Sequence, residues 1–181
     1  MTGQGHNWSG VALIPTVYYQ TYTLLSNHIA SFIACIVLLS GATAPDWLEI
    51  RKKTGGTVIT HRTITHWLPL WIGLLLFSNY MMVNSNLDIM GYSIHLNAYI
   101  SSAIFGFAVG GLLHLAVDFP NPMGIPIFTP YHRLSLNLWK SGKNEALLIS
   151  IIGIFSFFYV GTSMGVVEIN VSKIIDFLKS F

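Results

Sequence analysis

Apolar residues gather in long runs separated by shorter polar stretches. A helix that crosses a bilayer needs about 20 mostly apolar residues. The segments His28–Pro45, Trp67–Val83 and Leu96–Val117 have that character, and Ala146–Ser163 is equally apolar. Trp8–Leu25 is a weaker fifth candidate, because it carries Pro15, Gln20 and several Tyr and Thr. It either spans or lies re-entrant. Pro69 falls in the first turn of its helix, where proline is tolerated. Gly106, Gly110 and Gly111 provide small surfaces for close helix approach. The pattern predicts an all-α, polytopic membrane helical bundle of four or five spans over residues 1–165. Beyond it, Val171, Ile174, Ile175, Leu178 and Phe181 recur at helical spacing. Residues 166–181 are therefore expected to form an amphipathic tail in the interface, or a frayed polar end.

The polar connections are unequal. Residues 84–95 contain no Lys or Arg, whereas residues 46–66 carry Arg51, Lys52, Lys53 and Arg62, and residues 118–145 carry Arg133, Lys140 and Lys143. Seven of the nine basic residues thus lie on one side, which the positive-inside rule makes cytoplasmic. Composition agrees with a membrane protein. Of 181 residues 52% are hydrophobic and 9% charged, and the mean hydropathy is +0.59. Soluble domains carry about 25% charged residues. A net charge of +2 gives no ground for nucleic-acid binding. The single cysteine, Cys35, lies inside an apolar run and reads as a small buried hydrophobe.

Against this background the stretch His61-Arg-Thr-Ile-Thr-His66 stands out. Sorting the histidines and acids by side places His6, His61, His66, His114 and His132 on the expected cytoplasmic face, together with Asp46 and Asp118. They come from the ends of different segments. His114 and Asp118 form H-x-x-x-D at a helix end, so both lie on one helix face. Neutral imidazoles and carboxylates converging from separate segments are what a borderline metal such as zinc requires. Taken singly, each motif also fits an ordinary interfacial residue or, for Asp46, a helix cap. Ionisable groups near a membrane core are costly and commonly functional.

The ordered set Gly5-His6, Pro45-Asp46, His61-Arg62-Thr63-Ile64-Thr65-His66, His114-x-x-x-Asp118 and Asn121-Pro122-Met123-Gly124-Ile125-Pro126 resembles the YdjM-like family over about residues 5–135. That family is described as LexA-binding or LexA-regulated bacterial inner-membrane proteins assigned as metal-dependent hydrolases. It is held to be distantly similar to zinc-dependent phospholipases C and single-strand nucleases. The resemblance implies metal-ligand roles for His6, Asp46, His61, His66, His114 and Asp118. One departure is visible. Where the family reads P-D-x-D-H, this chain has Pro45-Asp46-Trp47-Leu48-Glu49, so a second carboxylate is replaced by Leu48 and a histidine by Glu49.

The expected activity is hydrolysis of a phosphoester in a lipid or lipid-linked substrate at the cytoplasmic face. It would depend on one or two divalent ions, Zn2+ first, with Mn2+ or Fe2+ as alternatives. Arg62 and Asp118 are the candidate catalytic residues; Arg62 either holds the phosphate with its planar fork or anchors to headgroups. Thr65 either bonds a ligand or caps the helix that opens at His66. The 121–126 loop would shape the rim. A different class of function is also open: a catalytically degenerate, metal-stabilised subunit or accessory factor with a membrane-protein partner, motivated by Leu48. A channel or transporter fits less well, because the helix middles hold only Ser, Thr, Asn and Gly as polar groups.

Overall fold

The computed structural model describes residues 1–48 and 63–167. Helix α1 spans Gly3–Leu25, α2 His28–Gly41, and the single turn α3 Ala44–Trp47. A 3₁₀ turn at Ile64–His66 leads into α4 (Leu68–Asn84), followed by α5 (Ala98–Asp118) and α6 (Glu145–Ser163). Thr2, Asn27 and Asn97 cap α1, α2 and α5 by accepting from the amides of Gly5, Ala30 and Ile100, which satisfies donors that a helix start leaves open. Pro69 lies in the first turn of α4, as its sequence position predicts. Cys35 is buried.

Two expectations are corrected. The chain is mostly helical but not all-α: β1 (Asn86–Ile89) pairs antiparallel with β2 (Tyr92–His95), and β3 (Ile125–Pro126) with β4 (Arg133–Leu134). In the first hairpin Met90 and Gly91 both take positive φ, 51° and 85°, as a tight two-residue turn demands. The count of four or five spans is also not supported. Among the described residues only α5 and α6 are both long and apolar enough to cross a membrane. At 1.5 Å per residue, the 14 residues of α2 and the 17 of α4 fall short of a hydrocarbon core of about 30 Å. Helix α1 has the length, with 23 residues, but its Pro, Gln, Thr and Tyr content dilutes its hydropathy. Of the amphipathic tail expected at 166–181, residues 168–181 lie outside the described residues.

Helix α5 is the centre of the bundle, packed by α2, α4 and α1. Its glycines allow this. A Cβ on Gly106 would overlap the Ala34 carbonyl, one on Gly110 the Leu38 carbonyl, and one on Gly111 the Trp71 ring. Helices in lipid associate by such close packing and by interhelical hydrogen bonds. Helix α6 is different. It runs parallel to α1 and is tied to it by polar contacts: Thr16 Oγ1 to Ser156 Oγ at 2.8 Å, Tyr159 Oη donating to Gln20 Oε1 at 2.7 Å, and Tyr19 Oη donating to the Ser163 carbonyl at 3.1 Å. Only Ser156 of α6 is buried. Its Phe155 and Phe157, like Ile29, Phe32 and Ile36 of α2, face outward. Apolar exposure on this scale is tolerated in a bilayer and not on a soluble monomer.

Candidate metal centre

The antiparallel run of α2, α4 and α5 delivers three helix ends to one end of the bundle, and α1 begins there too. His6 lies in the first turn of α1, Asp46 in α3 just past α2, His66 in the turn that opens α4, and His114 and Asp118 on the last turns of α5. These five expected ligands meet. His61 and Arg62 lie outside the described residues, as does Glu49. His132 is exposed between β3 and β4 and belongs to none of the possible ligand groupings among the described residues. His28 and His95 sit at the far ends of α2 and α5, bonded to Tyr18 Oη and Asn86 Oδ1, each at 2.6 Å.

The local chemistry aims ring nitrogens inward. His114 Nδ1 lies 2.9 Å from the Ala42 carbonyl at the end of α2. A carbonyl only accepts, so Nδ1 carries the proton and Nε2 is left with its lone pair. His66 Nδ1 lies 3.2 Å from Thr65 Oγ1, and the Thr65 carbonyl is fixed by Trp71 Nε1 at 2.7 Å. Asn121 Nδ2 donates to Asp118 Oδ1 at 2.9 Å, and the Met1 amino group also donates to that oxygen. Such outer partners orient metal ligands and fix their tautomers.

Around the centre, His66 Nε2 stands 3.4 Å from Asp46 Oδ1 and His6 Nε2 3.5 Å from Asp118 Oδ1. His114 Nε2 stands 3.7 Å from both Asp46 Oδ1 and Asp118 Oδ2. Metal–nitrogen bonds of about 2.0–2.1 Å at tetrahedral angles put neighbouring ligand atoms about 3.3 Å apart. The spacings thus suit ligands around a common ion. Both ring nitrogens of His6, His114 Nε2 and Asn121 Oδ1 are buried and make no hydrogen bond. Leaving such groups unsatisfied is costly, and a cation at the centre would answer it for the ring nitrogens.

Two overlapping triads have their donor atoms within 4.8 Å of one another: His6, Asp46 and His114, and His66, His114 and Asp118. Because Ala42 occupies Nδ1 of His114, that ring has one nitrogen to offer. The triads are therefore two views of one shared centre, not a pair of sites bridged by His114. Four of the five side chains are at most 1% exposed, while Asp46 is 46% exposed and forms the opening to solvent. Partial burial pushes the Asp46 carboxyl up, but the His66 imidazole beside it, with His114 and His6, outweighs this and holds it at about 2.

The Asn121 loop, expected as a rim, also grips Asp118. The spacing Asp118-x-x-Asn121 was the available signal. The role of Ala42 had none, since any residue carries a carbonyl. The substituted position Leu48 packs on the apolar cluster of Ala44, Trp71, Leu115 and Ile125. Beside the centre, Phe107 contacts both Trp47 and Trp71, with ring centroids 6.4 and 5.4 Å apart. Phe107 also lines an apolar groove of about 390 Å³ with Val37, Leu74, Ala103 and Ile104.

A family model described as YdjM inner membrane protein matches residues 1–175. No curated protein and no solved structure matches the chain.

Proposed function

The chain therefore belongs to the YdjM inner membrane protein family, and on that premise we propose that it is a metal-dependent phosphoester hydrolase whose substrate is a lipid or lipid-linked phosphate. The observation that carries this reading is the convergence of His6, Asp46, His66, His114 and Asp118 with His114 Nδ1 tied back to a carbonyl. The donor set of imidazoles and carboxylates fits zinc, with Mn2+ or Fe2+ as alternatives. When bound, such an ion supplies Lewis-acid polarisation of a phosphoryl oxygen and a hydroxide nucleophile at neutral pH.

The protein's own residues do the rest. His114 is held in one tautomer by Ala42, and Asp118 is oriented by Asn121. Asp46, ionised and half open to solvent, admits substrate and attracts the cation. Arg62, next in sequence to the expected ligand His61, holds the phosphate. A second ion would need donors outside the five, which His61 and Glu49 could supply. The lipid assignment is supported by the apolar groove, whose Phe107 packs on the tryptophans next to Asp46 and beside the His66 turn. Arg133, Lys140 and Lys143 follow Asp118, and Arg51, Lys52, Lys53 and Arg62 fall in sequence between Asp46 and His66; this charge bias supports a centre that faces the cytoplasm of the bacterial inner membrane.

A second reading has its own observation. Leu48 stands where the family has a carboxylate, and it faces an apolar cluster. The centre would then be a structural clasp in a subunit or accessory factor of a membrane assembly. Elemental analysis of detergent-purified protein, paired with hydrolysis of bis-p-nitrophenyl phosphate and of phospholipid vesicles, tests both. Metal in wild type with turnover lost on Asp118→Ala is the expected result. Turnover that survives loss of the metal overturns the hydrolase, and metal without any turnover moves the balance to the clasp.

A further inference from the structure

The three buried imidazoles are not anchored alike. His114 is bonded to Ala42 and His66 to Thr65. Neither ring nitrogen of His6 makes a hydrogen bond. Its ring is located by stacking on His114, by the 3.5 Å approach of Nε2 to Asp118 Oδ1 and by the backbone that carries it. What holds that backbone therefore helps to place the ring.

The start of α1 is gripped by the first residue of α6. Glu145 Oε1 accepts from the Thr2 amide at 2.6 Å, and Oε2 from Thr2 Oγ1 at 2.7 Å. The Gly142 amide, at 3.1 Å from Oε1, steadies the carboxylate from its own side. Thr2 passes the grip on: its Oγ1 accepts from the Gly5 amide and its carbonyl from the His6 amide, both at 3.1 Å. A Cβ on Gly5 would stand 2.6 Å from Glu145 Oε2, so the carboxylate lies directly on the turn that bears His6. Glu145 touches none of the five ligands.

We infer that Glu145 is a positioning residue: through Thr2 it fixes the first turn of α1 and so sets where His6 enters the centre. The inference rests on the metal reading above only for its second readout. Two measurements on full-length protein in detergent test it: backbone amide exchange at Gly5 and His6, and affinity for Co2+ read from its d–d absorption. Glu145→Ala is expected to speed exchange at both amides and to weaken Co2+ binding by less than the about 10–100-fold that follows loss of a partner bonded directly to a ligand. Glu145→Gln retains an acceptor for the Thr2 amide and should recover most of both. Ser156→Ala breaks the α1–α6 contact farther along and should leave both unchanged.

Unaltered exchange in Glu145→Ala overturns the inference. So does an equal effect from Ser156→Ala, since Glu145 would then merely dock α6. Should Glu145→Ala fail to fold, Glu145→Gln combined with Thr2→Val carries the same comparison. If wild type takes up no Co2+, the metal reading fails, and exchange at Gly5 and His6 alone decides whether the grip exists.

Discussion

The imidazoles of His6 and His114 stack face to face, their centroids 3.8 Å apart and their planes 11° from parallel. One ring comes from the start of α1 and the other from the end of α5, so the pair joins segments more than a hundred residues apart. Two buried rings in this arrangement point nitrogens at one region of space, and the aspartates border it. His114 contributes to both ligand triads, so its loss should be the most severe. His114→Ala is expected to lower metal affinity by more than the roughly 10–100-fold typical of an outer partner. Elemental mass spectrometry of protein purified after metal-supplemented growth checks this.

Asn121 offers a finer test. Its amide holds Asp118 Oδ1 from three residues away, and the residue is buried. Asn121→Ala keeps every proposed ligand and removes one orienting bond. Metal affinity should fall about 10–100-fold, with a cost to folding near 1 kcal/mol for the lost hydrogen bond. Co2+ titration and thermal unfolding in the same detergent separate the two effects.

Gly111 is remote from the candidate ligands in chemistry but not in mechanics. A methyl there collides with the Trp71 ring, and Trp71 is the donor that pins the Thr65 carbonyl beside His66. Gly111→Ala should destabilise the protein by about 1–3 kcal/mol, as overpacked cores do, and should loosen the centre with it. Thermal unfolding with and without added metal would show both, the second as a smaller metal-induced rise in Tm than in wild type.

Acidity gives a fourth test. Asp46 is held at about 2, below its ordinary 3.8. A depressed carboxyl stabilises the fold fully above its ordinary value, and that contribution is lost as pH falls through 3.8 toward 2. Metal should be released on acidification, as protons compete for its ligands. Asp46→Asn is expected to weaken Co2+ binding at every pH, so at a fixed Co2+ concentration the ion is released at a higher pH than in wild type. An unshifted release curve in a pH titration of the Co2+ absorption would contradict this.

How much of this could be read along the chain differs from residue to residue. His114 and Asp118 declared themselves through their four-residue spacing, and His6, Asp46 and His66 through their places beside apolar runs. The hairpin at 86–95 was hidden because Ile89-Met90-Gly91-Tyr92 lacks the Asn-Gly or Asp-Gly signature of its turn. Span counting failed where an apolar run outlasted its helix. His28–Pro45 reads as one segment, yet α2 stops at Gly41 and the chain turns through α3 to present Asp46. The hold of Glu145 on Thr2 joins residues 143 apart in sequence, and no local pattern announces it.

The bond between His114 and Ala42 has a consequence for how this centre can vary over time. Its acceptor is a main-chain carbonyl, so no exchange of the side chain at position 42 removes it. Point substitution can strip ligands from the centre while leaving the surviving imidazole in the same tautomer. An insertion or deletion that moves the end of α2 past His114 would reset the ring. In a lineage that drifts away from the ancestral chemistry, the orientation of His114 should outlast the ligands around it.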